Sequence, residues 1–114
     1  VYFANAVTKS VQYMYADNGT GVILLCEVAL GSQYQCKKAE YISQLPDNFH
    51  STWGMGKYTP DVNDVVILDD GLMVPLGYLV SSERSGLHLT YDEFIVYDVS
   101  QIRIRYALVI DVNK

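Results

Sequence analysis

The sequence predicts an α+β domain that is mostly β, built of antiparallel sheets with one short helix. Three observations carry this. Half of the 114 residues are hydrophobic and only 18% are charged, so a packed core is expected and disorder is not. Ten tyrosines and many β-branched residues fall in runs of strand length, bounded by Gly, Pro, Asn and Asp. Helical spacing is clear at one place only, around Ser10, which leaves five or six strands and a single helix. The length suits one modest domain.

Residues 1–4 read as the end of a strand. Asn5 or Thr8 can then cap a helix reaching about Tyr15, stopped by Asp17-Asn18-Gly19. On that helix Ser10 and Tyr13 share a face, and Lys9 and Tyr13 are nearly aligned. Ordinary helix surface with one tyrosine on the core is the plain reading of the pair. Residues 21–30 are almost continuously apolar, as a central strand covered on both faces would be. Glu27 is the one charge inside this run, and an arginine on a neighbouring strand is its expected partner.

A short strand is expected at residues 34–36 and a turn or single helical turn at 39–45. Residues 48–61 then read as a long irregular connection. Its Gly54-Met55-Gly56-Lys57 is not a phosphate loop. The first glycine of that motif is missing, no Ser or Thr follows the lysine, and no helix comes next. Residues 65–68 turn at Asp69-Asp70-Gly71 into residues 72–75, a hairpin with Pro75 at an edge or strand end. Residues 77–86 form a polar loop. Residues 102–112 alternate cleanly, with Ile102, Ile104, Tyr106, Leu108, Ile110 and Val112 on one face.

Residues 89–98 are the centre of the chain. They read as one strand, with Tyr91, Glu93, Ile95 and Tyr97 on one face and Asp92, Phe94 and Val96 on the other. Glu93 thus lies between apolar neighbours. An unpaired buried carboxylate costs several kcal/mol or more, so such a residue is paired, protonated or employed. A glutamate at the strand rim, bonded to a neighbour, satisfies the same pattern.

The totals narrow the partners. A formal net charge of −5 and a pI near 4.7 argue against this chain gripping phosphate backbones, so nucleic acid is expected only through other domains of a longer protein. No apolar run approaches the roughly 18 residues that span a bilayer, and no membrane partner is expected. Cys26 and Cys36, with His50 and His88, match no compact zinc spacing, so no metal is expected and a reducing compartment fits best. The chain starts at Val1 inside an extended apolar segment, which leads us to expect the C-terminal portion of something larger.

Three stretches together resemble the C-terminal half of the catalytic domain of poly(ADP-ribose) polymerases. They are Val1-Tyr2-Phe3-Ala4 with Lys9-Ser10-x-x-Tyr13, Glu27-Val28-Ala29-Leu30-Gly31, and Tyr91-Asp92-Glu93-Phe94-Ile95-Val96-Tyr97-Asp98. His50-Ser51-Thr52, Gly56-Lys57 and Val74-Pro75-Leu76-Gly77 match in order and spacing, and the DNA-dependent nuclear members are the most similar.

The resemblance implies half of a diphtheria-toxin-like ADP-ribosyltransferase fold, NAD+ as substrate, acceptor proteins and poly(ADP-ribose) as partners, and a nuclear location. It implies catalytic roles for Glu93 and Tyr2. Nicotinamide binding falls to Ser10, Tyr13 and Tyr2 with Phe3 and Ala4, and Lys9 and Tyr91 lie on the acceptor side. The family's His-Gly segment and most of its adenine pocket have no counterpart here and are expected upstream. Neither His50 nor His88 matches that histidine. The competing expectation is the same fold kept as a binding module without turnover.

The chemistry suits those residue types. Tyrosines can stack on the flat cationic nicotinamide ring, and a serine hydroxyl can hold its carboxamide. A carboxylate on the ribose stabilises the oxocarbenium character that develops as the glycosidic bond breaks.

Overall fold

The computed structural model describes residues 1–112. It opens with β1 (Tyr2–Phe3) and α1 (Val7–Tyr13), then β2 (Thr20–Val28), β3 (Gln33–Cys36), β4 (Ser51–Gly54) and β5 (Gly56–Pro60). A 3-10 turn at Val62–Asp64 leads to β6 (Val65–Ile67) and β7 (Met73–Pro75). After β8 (Leu79–Ser81), β9 (Leu89–Tyr91) and β10 (Glu93–Val96), a second 3-10 turn at Val99–Gln101 precedes β11 (Ile102–Asp111). The class is α+β and mostly β, with α1 the one α-helix among the described residues.

The described residues form four sheets: β1-β10-β4-β3, β8-β5-β9, the ribbon β11-β2 and the hairpin β6-β7. Pairing is antiparallel except between β3 and β4 and between β5 and β9. Residues 51–60 and 89–96 each cross from the second of these sheets to the first or back, and Met55 and Asp92 are the buried corner residues of the two crossings. The apolar core there is small: Val96 is fully enclosed, with Ala6, Cys36, Met55 and Leu87 nearly so.

Several expectations change for local physical reasons. Neither Asn5 nor Thr8 caps α1; Ala6 holds the cap position without a side-chain bond, because the Asn5 amide is bonded to Asp92 instead. The helix ends at Tyr13, where Met14 turns extended. Asp17-Asn18-Gly19 is not a helix stop but a tight hairpin turn. Asp17 and Thr20 exchange backbone bonds, while Asn18 and Gly19 both take the positive φ that such a turn demands.

The supposed irregular stretch 48–61 contains β4 and β5, and the supposed loop 77–86 contains β8. Their glycines and serines hid them from a propensity reading. Residues 89–98 are two strands broken at Asp92, not one. The hairpin at 65–75 forms as expected, with Val65 opposite Pro75 at its end.

The segment 21–30 does not form a central strand covered on both sides. Among the described residues β2 pairs with β11 alone, and Val22, Leu24 and Leu25 are each about half exposed. A bulge between Ile104 and Tyr106 shifts the register of this ribbon. Ile102 and Ile104 oppose Val28 and Cys26, whereas Tyr106 and Leu108 oppose Leu25 and Ile23. The row expected on one face is therefore split between both. Glu27 meets its expected arginine, at 2.8 Å from Arg105 in the bulge. The Glu27 charge raises the Arg105 pKa, first through that hydrogen bond.

Candidate active site

Glu93 begins β10 opposite Gly54 of β4, whose own parallel neighbour is Cys36 of β3. Strand alternation puts Glu93, Ile95 and Tyr2 on one sheet face, with Tyr2 directly across from Ile95. Above that face lies α1. Its Lys9 Nζ stands 3.3 Å from Glu93 Oε1, the two side chains only 14% and 17% exposed. So little water reaches the pair that salt screens it far less than a surface ion pair. Burial raises the pKa of the Cys36 thiol, and the charges of Glu40 and Glu93 add to the effect.

Ser10 follows Lys9 on the helix, half-buried, and its hydroxyl makes no hydrogen bond among the described residues. One turn on, Tyr13 is 79% exposed and Tyr2 is 65% exposed, so both rings are open to a flat ligand. Phe3 lies opposite Phe94, Ala4 is half-buried where the chain leaves β1, and Tyr91 lies opposite Tyr58. The structure thus joins Lys9 to Glu93 directly. It places Tyr2 on the same sheet face, and Ser10 and Tyr13 on the helix that carries Lys9.

A cleft of about 270 Å³ runs past Tyr2, Tyr41, Ile95 and Tyr97, but Ser10, Tyr13, Lys9 and Glu93 do not line it. The exposed Tyr2 and Tyr13 rings and the unpartnered Ser10 hydroxyl thus stand apart from most of this cleft, with Tyr2 alone lining it. His50 is occupied elsewhere: its Nδ1 accepts from Ser32 N at 2.9 Å and its carbonyl from Gln101 Nε2 at 2.8 Å. Among the described residues no group of three or more His, Cys, Asp or Glu is placed to hold a metal ion.

Comparison with known proteins bears on this arrangement. Residues 1–112 match the model of the poly(ADP-ribose) polymerase catalytic domain. The chain belongs to that family. It is 44% identical over 115 residues to poly [ADP-ribose] polymerase 1 of Xenopus laevis, covering 99% of this chain and 11% of the relative. To poly [ADP-ribose] polymerase 2 of Arabidopsis thaliana it is 43% identical over 116 residues, covering 99% and 18%. A poly [ADP-ribose] polymerase of Sarcophaga peregrina is 40% identical over 110 residues, covering 95% and 11%. The chain therefore spans well under a quarter of the length of these relatives.

In this member of the polymerase family, the residues that sequence reasoning missed surround Asp92. That carboxylate is 1% exposed. Oδ1 accepts from Trp53 Nε1 and Gly56 N, both at 3.0 Å. Oδ2 accepts from Thr59 Oγ1 at 2.6 Å and Asn5 Nδ2 at 3.2 Å. Trp53 is stacked on Phe94 with ring centroids 6.3 Å apart, and the Arg84 guanidinium lies over the Trp53 ring at 4.8 Å. A signal was present. Asp92 shares its expected face with Phe94 and Val96, so it posed the same buried-charge question as Glu93.

Proposed function

We propose that the full protein is an NAD+ ADP-ribosyltransferase that moves ADP-ribose from NAD+ to proteins and to ADP-ribose itself, releasing nicotinamide and building poly(ADP-ribose). The observation that carries this reading is the Lys9–Glu93 pair, 3.3 Å apart, with Ser10 and Tyr13 following on the same helix. Ser10 donates to the nicotinamide carboxamide, and Tyr13 and Tyr2 hold the ring by stacking, with Phe3 and Ala4 shaping the strand beneath. Glu93 faces the ribose and stabilises positive charge as the bond to nicotinamide breaks. The same carboxylate polarises the acceptor hydroxyl during elongation, with Lys9 and Tyr91 on the acceptor side.

We place the histidine-bearing and adenine-binding half in the remainder of the longer protein. Work in the nucleus, in a reducing environment, on acceptor proteins and growing polymer fits the family. Any contact with nucleic acid belongs to other domains.

The test is the purified full-length protein incubated with NAD+. Nicotinamide release together with polymer on gels is the expected result. NAD+ binding without any nicotinamide release would instead identify an inert binding module of the same fold.

A further inference from the structure

Asp92 sits where three parts of the molecule converge. Through its four accepted bonds it holds β4 by Trp53, β5 by Gly56 and Thr59, and the corner between β1 and α1 by Asn5. A buried carboxylate with both oxygens fully engaged is rigid, since each donor left without it would be stranded away from water. The next residue is Glu93. Asn5 lies just ahead of α1 and Lys9 four residues on, within it, so Asn5–Asp92 at 3.2 Å and Lys9–Glu93 at 3.3 Å are two rungs between the same two segments.

Trp53 adds a third constraint. It bonds Asp92 through its indole N–H and stacks on Phe94, the residue after Glu93. Glu93 is thus flanked in sequence by two residues anchored to the same tryptophan.

We infer that Asp92 is a positioning residue for Glu93: it fixes the start of β10 against α1 so that the Glu93 carboxylate meets Lys9 and the reacting ribose. The inference rests on the proposed transferase reading for its kinetic part only, because the Lys9–Glu93 contact can be followed without turnover. Asparagine at this position keeps the scaffold apart from the charge, which Arg84 Nη1 faces at 3.9 Å. Its amide can donate to Thr59 Oγ1 and to Asn5 Oδ1, a buried atom with no partner in the structure, while its oxygen still accepts from Trp53 and Gly56. Alanine removes all four acceptor bonds.

The experiment uses the full-length protein with Asp92→Ala, Asp92→Asn, Glu93→Gln and the double variant Asp92→Ala with Glu93→Gln. Two readouts are taken: steady-state kinetics with NAD+, and acetylation of the Lys9 amine followed by mass spectrometry. Asp92→Ala should lower kcat about 10- to 100-fold, as expected for misplacing a reacting group by about an ångström, with KM for NAD+ within about threefold. It should speed Lys9 acetylation several-fold. Asp92→Asn should restore both readouts to near wild type. Added to Glu93→Gln, Asp92→Ala should cost almost nothing more, because coupled residues are not additive.

Should Asp92→Ala fail to fold, Thr59→Val decides the matter. It keeps the shape, removes the shortest bond, and should move kcat and Lys9 acetylation in the same direction by a smaller factor. Full additivity with Glu93→Gln, or unchanged Lys9 acetylation in a folded variant with reduced kcat, overturns the inference. A wild type that does not cleave NAD+ yet shows the predicted acetylation pattern leaves Asp92 as the positioning residue and overturns the transferase reading instead.

Discussion

The Gly56 backbone N–H donates to Asp92 Oδ1 at 3.0 Å, and a Cβ on Gly56 would fall on the Tyr91–Asp92 backbone. Main chain cannot yield there as a flexible side chain can. Gly56→Ala should therefore lower stability by about 3 kcal/mol, from overpacking and a weakened bond to a buried carboxylate. In a domain of ordinary size that is a fall of about 6–12 °C in melting temperature. Gly54→Ala is the comparison. Its Cβ would meet the tip of Leu89 at 2.6 Å, a side chain that can turn away, so the loss should be smaller. Calorimetric melts of both variants in the complete catalytic domain check the order.

These two glycines also show what could be read in the chain beforehand. Rejecting Gly54-Met55-Gly56-Lys57 as a phosphate loop was a matter of motif chemistry, but its actual purpose depends on β9 and β10, more than thirty residues away. No local pattern reveals that approach. The Glu93 strand, the 65–75 hairpin and the Glu27–arginine pair were legible because periodicity and lone charges in apolar runs are local signals. The bulge in β11 and the break at Asp92 were not, since both arise from pairing with distant strands. Lys9, Ser10 and Tyr13 were legible as a helix face; that Lys9 meets Glu93 required the fold.

The exposed apolar ribbon makes a prediction about autonomy. Val22, Leu24 and Leu25 on β2 and Ile104, Tyr106 and Val109 on β11 are each about half exposed or more. Apolar surface on that scale promotes association. Residues 1–114 expressed alone should aggregate or melt without a cooperative transition, and should not cleave NAD+. A sharp melt of a monomer in solution, with nicotinamide release, is the contrary result.

The nicotinamide contacts proposed for Ser10 and Tyr13 are tested by inhibitor affinity in the full-length protein. Ser10→Ala should weaken a benzamide-type ligand by about 1–3 kcal/mol, through one lost hydrogen bond and an unpaired carboxamide. Tyr13→Ala should weaken it by about 0.5–2 kcal/mol through lost stacking on an open ring. Titration calorimetry measures both. Unchanged affinity in the two variants would place the ligand elsewhere.

Glu93→Gln separates a catalytic carboxylate from a structural ion partner of Lys9. The volume and strand preference barely change, while the charge disappears. Lys9 then keeps a hydrogen-bond acceptor at about the same place, so a purely structural pair should lose stability and little else. A carboxylate that acts on the transition state should leave NAD+ binding intact and lower kcat. The loss of one preorganised electrostatic group costs about 10²–10³ in rate. Elongation should suffer more than the first transfer, because the proposed mechanism calls on Glu93 at both the donor and the acceptor ribose. The variant should then attach single ADP-ribose units slowly and make almost no polymer. Product length on gels, run beside a thermal melt of the same full-length variant, distinguishes the cases. Normal polymer from a folded Glu93→Gln protein would remove Glu93 from the catalytic step and leave it as the partner of Lys9 alone.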